Sequence, residues 1–299
     1  MTGSIFQCGR EITIHELEEI RECVKMFWRL SRSELAQTIC EHLEWFAATG
    51  ANKTDAGMKL LEHLEAKGLL QLPEKRPTRK SGPEGPVQIT DRTDPQPEIV
   101  GSLRDLGLIR LDIVKDKETM DLWKEYIQRY HYLGYKKPFG CYLRYFFKCE
   151  RGLLGCALFS GASKSMGMRD RWIGWTEDER SRNQGWVINN ARFLIFPWVK
   201  VRYLASHVLG HIARRIVRDW EELWGYKPVL METFVDPERY EGVSYKASNW
   251  HYLGMTTGVG LVRKGKKYAT RPKKLFVKPL AEDFRAILCS ENLVGRVEI

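Results

Sequence analysis

Between residues 73 and 102 the chain reads "PEKRPTRKSGPEGPVQITDRTDPQPEIVGS", a stretch that holds six of its twelve prolines. Proline fixes φ and has no amide hydrogen to donate, so neither a helix nor a central strand can run through such a segment. The remaining residues are basic or small and polar, with almost no apolar periodicity, which predicts an exposed, semi-extended linker. The chain therefore divides into a module at 1–72, the linker at 73–102, and a larger domain at 103–299.

The first module reads as helical. "TIHELEEIRECVKMFW" sets Leu17, Ile20, Val24 and Phe27 at helical spacing, and "SRSELAQTICEHLEW" opens with Ser31 or Ser33 as N-cap. Glu34 completes a capping box from Ser31. After the turn "FAATGANKTDAG", the stretch "GMKLLEHLEAKGLLQLP" gives another helix ending at Gly68, then a brief strand. Helix, turn, helix and short strand is the outline of a winged-helix-like DNA-binding module. Its second helix would present Asn52, Lys53, Thr54 and Lys59, which can reach phosphates or base edges.

The larger domain alternates strand and helix signals. "ETMDLWKEYIQRYHYLG" is a helix with Met120, Trp123, Ile127 and Tyr130 inward, ended by Gly134. "CYLRYFFKCERGLLGCALFSGAS" predicts two antiparallel strands turning at Glu150 to Gly152. Strand "ARFLIFP", helix "ASHVLGHIARRIVRDWEELWG", strand "VLMETFVD", helix "YEGVSYKASNWHYLG" and strands around "MTTGVGLV" and "KLFVKPL" follow. This is an α+β fold with one mixed, largely antiparallel sheet flanked by helices. The tetrapeptide His-Tyr-Leu-Gly occurs twice, at 131–134 and 251–254, with unrelated flanks. Both copies read as helix endings, the first carrying site residues and the second, with His251, scaffold.

A helix ending near Trp250, Leu253, Gly254 and Met255 after an α/β crossover resembles the GCN5-related acetyltransferase fold. That fold implies a Gln/Arg-x-x-Gly-x-Gly/Ala loop cradling the pyrophosphate of coenzyme A. The corresponding "VRYLASHVLGHIARR" has Arg202 and Ser206 without those glycines, which makes a coenzyme A thioester doubtful. Over nearly the whole chain, "SRSELAQTICEHLEW", "YHYLGY", "RDRWIGW", "NNARFLIFPWVKVRYLASHVL", "PVLMETFVDPERYEGVSYKASNW" and "LFVKPL" resemble the DruA-like family. That family includes a component of Druantia anti-phage systems and regions attached to transposases. The resemblance implies phage defence or mobile DNA, with partner proteins of a defence system. A further similarity, to the phage Mom DNA-modification proteins, implies counterparts at His131, Tyr132, Ser206, Asp236 or Glu232, and Tyr245.

Several of these residues also carry chemistry on their own account. His131 and Tyr132 follow an amphipathic helix, and a histidine there suits a general base or a metal ligand. Alternation along "METFVD" puts Glu232 and Asp236 on one face of a strand, where two carboxylates could hold a divalent metal. Arg192 can grip a phosphate or pair with Glu232, and Ser206 can receive an anion or simply cap its helix. In the second tetrapeptide's helix, Tyr245 and Asn249 share a face one turn apart.

Charge supplies the partner class. The formal net charge is +10, and "VRKGKKYATRPKKLFVK" carries eight Lys or Arg with no acid. Arg263, Lys264, Lys266, Lys267 and Lys273 there, with Lys164, Arg169 and Arg171 beside Trp172 and Trp175, suit a nucleic-acid track. Seven cysteines without a Cys-x-x-Cys pair indicate neither a disulfide framework nor a zinc ribbon. No secretory start and no apolar run long enough for a membrane are present, so the expected location is cytoplasmic. Three function classes follow: a DNA-recognition subunit, a transferase modifying a nucleobase, and a nuclease using His131, Glu232 and Asp236 with a metal.

Overall fold

The computed structural model describes residues 5–47, 51–75, 85–138, 140–258 and 271–290. The first module opens with a small hairpin, β1 (Ile5–Gln7) and β2 (Arg10–Ile12), followed by helices α1 (Ile14–Met26), α2 (Arg32–His42) and α3 (Thr54–Ala66). Capping boxes start α1 at Thr13–Glu16 and α2 at Ser31–Glu34, the latter as the sequence predicts. α2 buries Leu35, Ala36, Ile39 and Cys40 against Leu60, Leu61 and Leu64 of α3. The two backbones come close at Gly57, where a Cβ would stand 2.8 Å from the Cys40 sulfur.

The expected strand after α3 is absent. "LLQLP" is coil, because its amides turn to local partners: Leu69 N–H returns to Leu64 O, and Leu72 N–H goes to the Glu65 carboxylate. The only hairpin described in this module precedes the helices, so the winged-helix detail has no support in the geometry.

The proline-rich segment is not a free tether over its described second half. Thr90 and Thr93 hydroxyls donate to the Glu125 carboxylate at 2.9 Å, and Thr90 N–H donates to it as well. Glu125 lies on α4 (Lys117–Tyr130), whose Tyr130 hydroxyl donates to Thr93 O. Residues Ile99–Gly101 form β3, paired in parallel with β8 (Val199–Val201). Composition gave no sign of this docking, since the contacts are polar and reach residues distant in sequence.

The larger domain is built on seven strands: β4 (Arg110–Ile113), β5 (Tyr142–Cys149), β6 (Gly152–Gly161), β7 (Val187–Ile195), β9 (Leu230–Val235), β10 (His251–Met255) and β11 (Lys274–Pro279). Their order across the sheet is β10-β11-β9-β7-β6-β5-β4. Every pair is antiparallel except β7 with β9, which α7 (Leu204–Trp224) joins as a crossover. Short helices α5 (Gly167–Ile173), α6 (Glu177–Asn183), α8 (Val243–Ala247) and α9 (Phe284–Leu288) complete it. The mixed sheet flanked by helices that the sequence implies is what forms. α4 buries Trp123, Tyr126 and Ile127 on one face of the sheet, and α7 is anchored to β5 by the Tyr145 hydroxyl on Asp219, at 2.7 Å.

The second His-Tyr-Leu-Gly is a strand, against expectation. α8 ends early: Asn249 takes φ +60°, and Trp250 N–H returns to Tyr245 O while Asn249 N–H returns to Lys246 O. This hydrogen-bonded stop comes before the tetrapeptide, which is then free to pair as β10. The first copy does follow a helix, with His131 as the C-cap of α4 and Gly134 at φ +57°. Asn249 accordingly does not share a helical face with Tyr245.

The two modules touch directly. Phe27 meets Tyr226 edge-on with ring centroids 5.8 Å apart, and Gly185 lies where a Cβ would strike Met26. The Lys164 ammonium donates to the carbonyls of Glu41 and His42 at 2.6 and 3.2 Å, capping the end of α2.

Candidate functional site

β7 and β9 pair over three positions only, Val187 with Leu230, Ile188 with Met231 and Asn189 with Glu232. Beyond these the two strands no longer pair with each other, though each keeps its other neighbour, and the gap between them is a cleft of about 370 Å³. β7 from Asn190 onward forms one wall, and Thr233 to Asp236 the other. The end of α4 brings His131 and Tyr132, and the chain into α8 brings Tyr240 and Tyr245. His131, Tyr132, Arg192, Asp236 and Tyr245 are thus brought together from distant parts of the sequence.

Hydrogen bonds fix this wall. The Tyr245 hydroxyl donates to Asn190 Oδ1 at 2.8 Å, and the Asn190 amide donates to Arg192 O at 3.0 Å. Thr233 Oγ1 donates to Asn190 O, tying β9 to β7 just past their last pair. Burial pushes the Tyr245 phenol up, so it stays a proton donor. Arg192 Nε donates to Gly134 O at 3.1 Å and holds the loop after α4 against β7. Burial lowers its guanidinium from the ordinary value.

His131 Nδ1 accepts from Leu133 N–H at 3.3 Å, which leaves the proton of the neutral ring on Nε2. The ring stacks on Tyr132 with centroids 4.9 Å apart. Burial, with the Arg192 charge adding to it, pushes the imidazole down to about 4. Stability from this neutral ring is complete above the ordinary pKa of 6.5 and is lost as pH falls toward about 4. Urea unfolding at neutral and acid pH should show wild type losing on the order of 3 kcal/mol more than His131→Gln over that window. Equal losses in the two proteins would contradict the buried neutral state.

Asp236 sits just past the end of β9, largely buried. Its Oδ1 accepts from Glu238 N–H at 3.1 Å, and Arg239 stands 3.9 Å from its Oδ2. The Arg239 guanidinium also lies over the Tyr132 ring at 4.9 Å, and Tyr240 is 6.1 Å from that ring. Burial, with the Asp236 charge adding to it, pushes the Tyr132 phenol up. The cleft therefore combines the Asp236 carboxylate, a neutral N–H donor, phenols that keep their protons and a guanidinium, while Glu241, which also lines it, is paired with Lys274.

Two residues expected with these lie elsewhere. Glu232 is fully buried on the other side of the sheet, where it accepts from Arg169 Nη1 at 2.9 Å and Ser163 N–H at 2.8 Å. Its partner is Arg169 and not Arg192. β9 ends at Val235, so strand alternation does not carry Asp236 onto the face of Glu232. Burial raises the Glu232 carboxyl above the usual range while the Arg169 charge pulls against it. Ser206 Oγ donates to Tyr203 O, and it is the neighbouring Ala205 that lines the cleft. The trio proposed for a nuclease is not assembled, and among the described residues no group of three His, Cys, Asp or Glu side chains could hold a metal.

The start of α7 does not suit the pyrophosphate of coenzyme A. Its N-cap is Tyr203 at φ +63°, and Ala205 and His207 stand where the Gln/Arg-x-x-Gly-x-Gly/Ala pattern read from Arg202 needs glycine and a small residue. The His207 ring is packed against His211 with centroids 4.4 Å apart.

The basic candidates divide. Lys53, Lys59 and Arg171 are exposed, and Lys273 is half-buried where the chain returns to β11. Lys164 caps α2, Arg169 is fully buried in its ion pair, and Asn52 donates to the Glu41 carboxylate at 3.1 Å. All three have structural partners, and of them only Arg169 is fully buried. Arg263, Lys264, Lys266 and Lys267 lie outside the described residues. Sequence reasoning missed Arg239 and Tyr240, although "DPERYEG" directly after a strand was a signal for a loop bearing site residues.

The profile of the family described as Druantia protein DruA matches residues 63–271. Among solved structures the chain is similar to a Bacillus subtilis acetyltransferase in complex with CoA, at 7% identity and TM-score 0.33, covering 58% of this chain and 100% of that one. It is also similar to the aminoglycoside acetyltransferase AAC(6')-Ib in complex with coenzyme A and kanamycin, at 14% identity and TM-score 0.36, covering 57% and 95%. Comparison with the curated proteins finds no match. At these scores the structural likeness stands by itself, and what the cleft can do rests on its own residues.

Proposed function

We propose, from the premise that this chain belongs to the Druantia protein DruA family, that it acts on DNA and holds a nucleotide in the cleft between β7 and β9. The observation that carries the reading is the convergence there of Arg192, Tyr132, Tyr240, His131 and Asp236. An arginine suits a phosphate, and aromatic rings suit the face of a base. Asp236 is placed to take a proton from a nucleobase N–H or hydroxyl, while neutral His131 donates from Nε2. The net charge of +10 favours a polyanion as the larger partner.

Group transfer to the nucleotide is favoured over metal-dependent cleavage. Glu232, needed as the second carboxylate of a metal site, is committed to Arg169. No donor molecule is assigned, and the start of α7 gives no support to coenzyme A.

The test uses purified protein with single- and double-stranded DNA, with and without Mg²⁺, Mn²⁺ and acyl-coenzyme A. Binding should weaken linearly on a log–log plot against salt, and nucleoside mass spectrometry of DNA from cells expressing the protein, where the donor is supplied, should show an altered base. Failure to retain DNA at low salt would refute the reading. DNA cleavage that needs a divalent metal would favour the nuclease instead.

A further inference from the structure

The outer face of α7 carries a stripe that none of the cleft chemistry uses. Tyr203, His207, His211 and Arg214 follow one another at spacings of four, four and three residues, so they lie along one side of the helix. Tyr203 is 70% exposed with the Arg202 guanidinium 5.5 Å from its ring centre. Gly210, beside His211, leaves the surface low, and a Cβ there would come within 3.6 Å of Arg214 alone. No acid occurs between Tyr203 and Arg218, where Asp219 and Glu222 restore ion pairing.

The stripe begins at the end of α7 that borders the cleft, which Ala205 lines from the opposite side of the helix, and it leads into a second hollow. His211, Arg214 and Arg215 line that open groove beside the edge strand β4, with Arg110, Lys115 and Lys148. Of the acids in that groove, Asp112 is paired with Lys148, and Asp116 accepts from Thr119 at the start of α4.

We infer that a single strand of nucleic acid leaving the cleft runs along this face of α7 into the groove beside β4, with Arg202, His207, His211 and Arg214 meeting its phosphates. The inference rests on the cleft being a nucleic-acid site. Nucleic acid fits better than an acidic protein because the cations are interleaved with flat rings on which bases can stack.

The two histidines add pH dependence. Burial and the Arg214 charge lower both from the ordinary 6.5, and His207 lowers His211 further. Arg110, Lys115, Lys148 and Arg215 add positive charge across the groove, with Asp112 and Asp116 opposing them. A bound phosphate reverses this balance and favours the protonated rings. Affinity should therefore rise as pH falls below about 6.5.

Fluorescence anisotropy of the full chain with a labelled single-stranded oligonucleotide tests this across salt and pH. Arg202→Gln with Arg214→Gln should flatten the log–log salt slope by about 1.4, at about 0.7 per lost cation for a single strand. His207→Gln with His211→Gln should remove the gain in affinity on acidification. All four side chains are at or near the surface, and circular dichroism checks that the variants stay folded. If wild type binds DNA and these variants bind it with the same slope and pH profile, the path is wrong and the cleft reading stands. If wild type binds no DNA, both fall. If polyglutamate competes as well as DNA, the preference for nucleic acid is overturned.

Discussion

Glu232→Ala should cost about 3–5 kcal/mol of stability, because it leaves the fully buried Arg169 guanidinium without its main carboxylate. Arg169 would retain only the Asp170 carboxylate and the Ser163 carbonyl, and Ser163 N–H would lose its acceptor. The double variant Glu232→Leu with Arg169→Met removes the stranded charge and should recover most of that loss. Urea unfolding of the three proteins decides the matter. If Glu232→Ala stays within about 1 kcal/mol of wild type and loses only activity, Glu232 belongs to the chemistry after all.

Asp236→Asn should behave in the opposite way. The amide oxygen can still accept from Glu238 N–H, so stability should change by about 1 kcal/mol or less. Nucleoside modification should fall by about 10²–10⁴-fold, the usual worth of a positioned acid–base group. DNA affinity should hardly change, since the substitution removes no cation. Full modification by a folded Asp236→Asn protein would remove acid–base work from this carboxylate while leaving the cleft as a binding site. The pair of variants separates a residue that supports the fold from one that serves the cleft, which two carboxylates four residues apart in "METFVD" do not do by themselves.

Local signals in the sequence carried far, and they failed where distant groups decide. The capping box at Ser31 and Glu34 needs only four consecutive residues, and it forms. β5, β6, α7 and β9 announce themselves through apolar pattern, and each is present. The second His-Tyr-Leu-Gly misled because a strand and a helix end share an aromatic-rich pattern, and the deciding left-handed residue was Asn249 instead of a glycine. The sequence offers Arg192 as one possible partner of Glu232, but the partner arrives from α5, 63 residues earlier. Of the residues the resemblance groups, His131, Tyr132, Asp236 and Tyr245 meet where β7 diverges from β9, while Ser206 and the alternative Glu232 do not line that cleft. The α7 stripe was written in the sequence as an acid-free run, but the groove that gives it meaning depends on where β4 lies in the sheet.

The second tetrapeptide has a further consequence as the outermost strand of the sheet. An open edge invites another copy of the chain to add its own strand, and self-association can propagate from there. β10 loses its register between Tyr252 and Gly254, and Gly254 takes φ +131°, which breaks the straight row of amides that a docking strand would need. The facing helix closes in at the same point, with the Met168 sulfur 3.1 Å from where a Cβ of residue 254 would lie. At the opposite edge, the Arg215 guanidinium donates to Leu111 O of β4 and occupies an acceptor that a newcomer would use. Among the described residues, both borders of the sheet thus carry a feature that interrupts pairing with a neighbouring strand, a bulge at one and an occupied carbonyl at the other.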